Sequence, residues 1–125
     1  MMGLGHFIAV IEDDASVRGA LRRLLRTGGY EVSVFATAED YLAETAQSKI
    51  DCLITDVRLP GIGGLELLEQ VQAANMGQLV TIVITAHDDE RIRQRAIALG
   101  ASGFFLKPFD NHELQATVLQ ALGSP

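Results

Sequence analysis

Apolar residues along this chain follow two rhythms: short unbroken runs, and stripes that recur every third or fourth position. The runs suit strands buried on both faces, and the stripes suit helices with one buried side. His6 to Ile11 (HFIAVI) is the first run, and it ends in the acids Glu12, Asp13 and Asp14. Val17, Leu21, Leu24 and Leu25 then form a helical stripe, with Arg18, Arg22, Arg23 and Arg26 on the other face. Asp14 reads as the N-cap of that helix and Gly28-Gly29 as its stop. Glu31 to Phe35 alternates as a strand does, and Thr37 with Asp40 resembles a capping box opening a helix around Tyr41 and Leu42. Cys52 to Thr55 is a nearly continuous apolar and β-branched run that ends at Asp56, after which Pro60, Gly61, Gly63 and Gly64 mark a loop. Gly64 to Ala74 carries Leu65, Leu68 and Val71 on one stripe and is expected to end near Gly77.

Leu79 to Thr85 (LVTIVIT) is the strongest strand signal, being β-branched almost throughout. Asp88 to Leu99 reads as helix, with Ile92, Ala96 and Leu99 inward, Arg91, Arg93 and Arg95 outward, and Gly100 closing it. Gly103 to Leu106 is a short last strand before Lys107-Pro108. Asp110 with Glu113 caps a final helix whose stripe is Leu114, Val118, Ala121 and Leu122. Such alternation of strand and helix with short connections predicts an α/β fold over residues 1–125 as a single domain. Right-handed crossovers make it a doubly wound, flavodoxin-like (βα)5 sandwich. Its parallel sheet has the order 2-1-3-4-5, with helices on both faces and a switch point between strands one and three. Those two strands end in carboxylates, so Glu12-Asp13 and Asp56 are expected to be neighbours in space.

Composition narrows the classes. The chain has 125 residues, enough for one hydrophobic core, with 48% hydrophobic and 21% charged residues. No apolar run approaches the ~18 residues of a membrane span. The opening MMGLGHFIAVIEDD lacks the basic segment and cleavage site of a signal peptide. A lone Cys52 excludes an internal disulfide and suits a core position in a reducing cytoplasm. The net charge of −6 argues against the chain gripping DNA or an anionic membrane by itself.

Three carboxylates at adjacent strand ends repel one another unless a cation is present, and oxygen ligands with several waters suit Mg²⁺, for which Mn²⁺ can substitute. Asp14 needs no such role, since a helix N-terminus explains it. A lone Asp56 also has an ordinary reading as a strand-end turn residue. Thr85 and Lys107 end two further strands with a hydroxyl and an ammonium, the groups an anion brought to the metal needs on its other side. The set meets the requirements of phosphoryl transfer, with Asp56 at the central strand as the candidate for an aspartyl phosphate.

The acidic pair Glu12-Asp13, Asp56 followed by Leu59-Pro60 and glycines, Thr85-Ala86, and Lys107-Pro108 together resemble the bacterial two-component response-regulator receiver domain. The resemblance covers essentially the whole chain. It implies Asp56 as phospho-acceptor, Asp13 as a direct Mg²⁺ ligand, Glu12 acting through water, and the main-chain oxygen of Arg58 as a further ligand. It also implies Thr85, Ala86 and Lys107 around the phosphoryl group, Phe104 as an aromatic switch, and a cis Lys107-Pro108 bond. Phe105 is expected to be the fully buried ring of the pair. The family further implies a sensor histidine kinase as partner, with no turnover beyond the domain's own phosphorylation and dephosphorylation. ITAHDD and KPFD resemble the FixJ-like branch, which regulates transcription through a C-terminal helix-turn-helix absent from this chain. The ending Gly123-Ser124-Pro125 reads as the start of a linker, favouring a receiver from a longer regulator over a stand-alone one. Phosphorylation is expected to drive homodimerisation through helix four, strand five and helix five, where Arg91, Arg93 and Arg95 face Asp110 and Glu113. Rival readings fit less well. A haloacid-dehalogenase-type hydrolase needs an Asp where Arg58 stands, and an FMN module needs a phosphate loop where Glu12-Asp13-Asp14 would repel it.

Overall fold

A computed structural model describes residues 5–44, 49–74 and 78–123. Gly77, Met1 to Leu4, Ser124 and Pro125, on which the third-helix end, the start of the leader reading and the linker reading fall, lie outside the described residues.

The strands are β1 (Phe7–Ile11), β2 (Glu31–Phe35), β3 (Cys52–Asp56), β4 (Val80–Thr85) and β5 (Gly103–Leu106). They alternate with helices α1 (Ala15–Thr27), α2 (Ala38–Ala43), α3 (Gly64–Ala74), α4 (Glu90–Ala98) and α5 (Asn111–Leu122). All strands pair in parallel in the order β2-β1-β3-β4-β5, as the alternation predicts. The central strand β3 is buried along its whole length, which is why its sequence shows no polar face. No helix among the described residues is long and apolar enough to cross a membrane.

Successive strand residues point to opposite faces, so the sheet separates two cores. On one face Ala9, Ile11, Leu53 and Val83 pack with Tyr41 of α2, Leu68 of α3 and Ala96 of α4. On the other, Ile8, Val10, Ile54 and Ile84 pack with Leu21 and Leu25 of α1 and Leu114 and Val118 of α5. Cys52 belongs to this second core, where burial and the nearby Asp51 charge push its thiol up to about 12.

Caps fix most helix starts. The side chains of Asp14, Thr37, Asp89 and Asp110 each accept first-turn N–H bonds of α1, α2, α4 and α5. Helix α4 thus starts at Glu90 with Asp89 as its N-cap, rather than at Asp88, because the Asp89 side chain accepts the Arg91 N–H. Ala121, placed on the inward stripe of the last helix, is exposed, whereas Leu122 still packs against the second core.

Candidate functional site

The carboxyl end of the sheet gathers the chemistry. Asp56 closes β3 beside Ile84 of β4, and Glu12 leaves β1 with its N–H bonded to the Phe35 carbonyl at 3.0 Å. One carboxylate oxygen from each of Glu12, Asp13 and Asp56 lies within 4.8 Å of the others. Glu12 is wholly buried, Asp56 is nearly so, and Asp13 is exposed.

Lys107, one residue past β5, sends its Nζ to 2.7 Å from both Asp56 Oδ2 and Glu12 Oε1. It donates a hydrogen bond to Asp56 and forms an ion pair with Glu12. Glu12 Oε1 has the Lys107 ammonium as its counter-ion, while Oε2 accepts the Asp14 N–H at 3.0 Å. Burial pushes the Glu12 pKa above 4.5; Lys107 and the Asp14 N–H pull it back without reversing it, and the Asp56 charge adds to the rise. For Lys107 burial acts downward, but the bonds to Asp56 and Glu12 outweigh it and hold the ammonium above its ordinary 10.5. An all-oxygen set of three converging carboxylates, with a single ammonium paired to two of them, fits a hard divalent cation.

Thr85 is wholly buried at the end of β4, and its Oγ1 accepts the His87 N–H at 3.1 Å; Ala86 beside it is exposed. The Thr85 carbonyl accepts the Lys107 N–H at 2.8 Å, which ties the two strand ends together, and the Lys107–Pro108 bond is cis. Phe104 packs against the α2–α3–α4 core and Phe105 against the α1–α5 core. Both rings are half-buried, so Phe105 is not the fully buried member. The reason is that β5 is an edge strand, paired with a neighbouring strand on one side only.

The loop after Asp56 is shaped by contacts that the sequence did not reveal. The Arg58 N–H donates to Asp56 Oδ1 at 3.3 Å. Gly64 lies so close to the Asp56 carbonyl that a Cβ there would collide with it, which is why α3 opens on glycine. Gly61 takes φ 75°, and Glu39 of α2 packs its carboxylate against it while accepting the Ile62 N–H at 2.9 Å. In sequence Glu39 looks like any first-turn acid. Arg18, read as part of the outer face of α1, instead turns back: its Nη1 donates to the Glu12 carbonyl at 2.8 Å and the Asp13 carbonyl at 3.4 Å.

On the surface of α4, β5 and α5, Arg93 shares a cavity of about 350 Å³ with Asp88, Glu90, Asp110 and Glu113. Arg95 leaves that patch for α3, where it pairs with Glu66 and Glu69 at 3.6 Å each, so the expected row of arginines is divided. Ile97 and Leu106 are exposed there, at 52% and 37%.

A family model described as the response regulator receiver domain matches residues 8–119. The chain is 39% identical over 116 residues to the transcriptional regulatory protein FixJ of Azorhizobium caulinodans, covering 93% of this chain and 54% of that protein. It is 39% identical over 114 residues to nodulation protein W of Bradyrhizobium diazoefficiens, covering 91% and 50%. Among solved structures, the response regulator StyR superposes with a TM-score of 0.84 at 38% identity, covering 94% of this chain and 59% of that one. A putative response regulator from Chloroflexus aurantiacus gives 0.85 at 33%, covering 94% and 98%. The chain spans about half the length of the curated relatives it matches.

Proposed function

The chain belongs to the response regulator receiver domain family, and on that premise we propose that residues 1–125 act as one phospho-accepting switch domain with Asp56 as the acceptor. The observation that supports this most is the meeting of Asp56, Glu12, Asp13 and Lys107, which come from three separate strand ends. A sensor histidine kinase is the donor. An Asp56 carboxylate oxygen forms the new bond to phosphorus as the phosphorus–nitrogen bond of the donor imidazole breaks, and the electron pair leaves with the ring nitrogen. Mg²⁺, or Mn²⁺ in its place, would be held by Glu12, Asp13, Asp56 and the main-chain carbonyl of Arg58, and supplies positive charge at the transferring oxygens.

The chain's own groups do the rest. Lys107 already stands at Asp56, so it can follow the acceptor's charge onto a phosphoryl oxygen. The Thr85 hydroxyl, which accepts from the His87 N–H, has a proton it can donate to the phosphoryl group, with the Ala86 N–H beside it. Movement of Thr85 opens space for Phe104, which packs on the α4 side, and so changes the α4–β5–α5 surface. Exposed Ile97 and Leu106 among charges of both signs support that surface as the contact of a phosphorylation-dependent homodimer. Catalysis extends only to the domain's own phosphorylation and dephosphorylation, in the cytoplasm, and control of DNA runs through an output domain outside this chain.

The test is intact-mass analysis after incubation with acetyl phosphate and Mg²⁺. Wild type gains one phosphoryl group and Asp56→Asn gains none. Unchanged phosphate uptake by Asp56→Asn would overturn the assignment.

A further inference from the structure

Arg18 stands where a helix ordinarily rejects a cation. It lies near the N-terminus of α1, whose first turn holds no acid, and the helix dipole is unfavourable to positive charge there. Two bonds hold it in place. Its Nη1 donates to the main-chain carbonyls of Glu12 at 2.8 Å and Asp13 at 3.4 Å. These are the two residues whose carboxylates meet Asp56.

A main-chain carbonyl is itself a good oxygen ligand for a hard cation. The Glu12 and Asp13 carboxylates and their two main-chain carbonyls, all in one turn beside Asp56, would offer a cation several competing arrangements. A guanidinium bonded to both carbonyls competes with a cation for them and restrains the peptide planes from which the carboxylates project. The turn is held on its other side by the Glu12 N–H on the Phe35 carbonyl, at 3.0 Å. With Arg18 in place, it is the Glu12 and Asp13 carboxylates that this turn brings to Asp56.

We propose that Arg18 is a positioning residue that occupies the Glu12 and Asp13 carbonyls and so sets the carboxylate geometry for the divalent cation. It rests on the reading of the acidic cluster as a Mg²⁺ site. Such indirect partners typically govern about 10–100-fold of metal affinity.

Charge and position predict opposite signs, which makes the proposal easy to refute. If Arg18 acts only as a charge near the site, Arg18→Met removes a repulsive cation and tightens Mg²⁺ binding. If it positions the turn, Arg18→Met weakens binding by about tenfold, even though losing the cation favours the helix. Arg18→Lys, which keeps the charge and can reach one carbonyl, should fall between Met and wild type. Mg²⁺ affinity is read by calorimetry on the whole chain. Amide NMR shifts of Asp13 and Asp14 without metal report the turn directly, and thermal unfolding checks that both variants fold. Weakened Mg²⁺ binding with moved Asp13 and Asp14 amides at near-unchanged melting supports the proposal. Unchanged or tighter binding in Arg18→Met overturns it. Should Arg18→Met fail to fold, Arg18→Lys decides alone: wild-type affinity and amide shifts overturn the proposal. A wild type that binds no Mg²⁺ overturns the reading of the site, and the proposal falls with it.

Discussion

Replacing Lys107 by Met keeps the apolar stem and deletes the cation that lies 2.7 Å from both Asp56 and Glu12. Unpairing a buried charge costs about 3–5 kcal/mol. Here the cost is smaller, because the Lys107 side chain is 19% exposed and Glu12 can escape by taking up a proton. About 2 kcal/mol near neutral pH is a reasonable expectation, or roughly 8 °C in melting temperature for a domain of this size. The pH dependence has a definite sign. Burial already pushes Glu12 above 4.5, and loss of Lys107 removes the largest opposing influence, so the pKa climbs further. Between the unfolded and folded values the folded chain binds more protons, so stability falls as pH rises through the folded value. The deficit relative to wild type should therefore be largest above neutrality and shrink as pH falls toward 4.5. A divalent cation replaces the lost charge, so Mg²⁺ should bind the variant more tightly and restore part of its stability. Thermal unfolding across pH with and without Mg²⁺ reads all of this. A deficit independent of both pH and Mg²⁺, or weaker Mg²⁺ binding in the variant, would refute the picture of Lys107 as the resting counter-ion of the acids.

Asp13 and Asp14 should separate cleanly: Asp13→Asn weakens Mg²⁺ binding strongly in calorimetry. Asp14 accepts the N–H bonds of Ser16 and Val17 at 2.8 and 3.1 Å, so Asp14→Ala costs about 1 kcal/mol of stability and little affinity. Thr85→Ala should still gain a phosphoryl group by mass yet associate less than phosphorylated wild type in sedimentation; equal association would remove Thr85 from the switch. Gly64→Ala should destabilise by about 2 kcal/mol or more in denaturant unfolding and slow phosphorylation, because its Cβ collides with the Asp56 carbonyl; near-neutral stability would show that α3 can withdraw at little cost.

What could be read before the structure followed from what periodicity encodes. The β3 run and the stripe of α1 announce burial, and burial dictates the sheet order and which strand ends meet. The helix starts were legible because a cap is a local event, although Asp88 and Asp89 compete for the same role and only side-chain reach decides. Contacts between chain segments with no shared rhythm were not legible. Glu39 of α2 reaches Ile62 in the β3–α3 loop, and Arg18 folds back over its own helix start. Both are charged residues on an exposed face, so their pattern says only solvent. The half-burial of Phe105 was missed for a different reason: hydrophobicity reports a preference for the interior, while an edge strand limits how much interior there is.

The partition of the interior by the sheet has a consequence for how such a molecule can diversify. Phe104 and Phe105 are adjacent in sequence, yet each belongs to a different core, and so do the helices around them. Substitutions within α1 and α5 repack one core; substitutions within α2, α3 and α4 repack the other. Energetic effects at sites without shared partners add. One half of the molecule can therefore drift toward a new partner while the other keeps its tuning, and the two lineages of change share the sheet and the strand ends where Asp56, Glu12 and Lys107 stand.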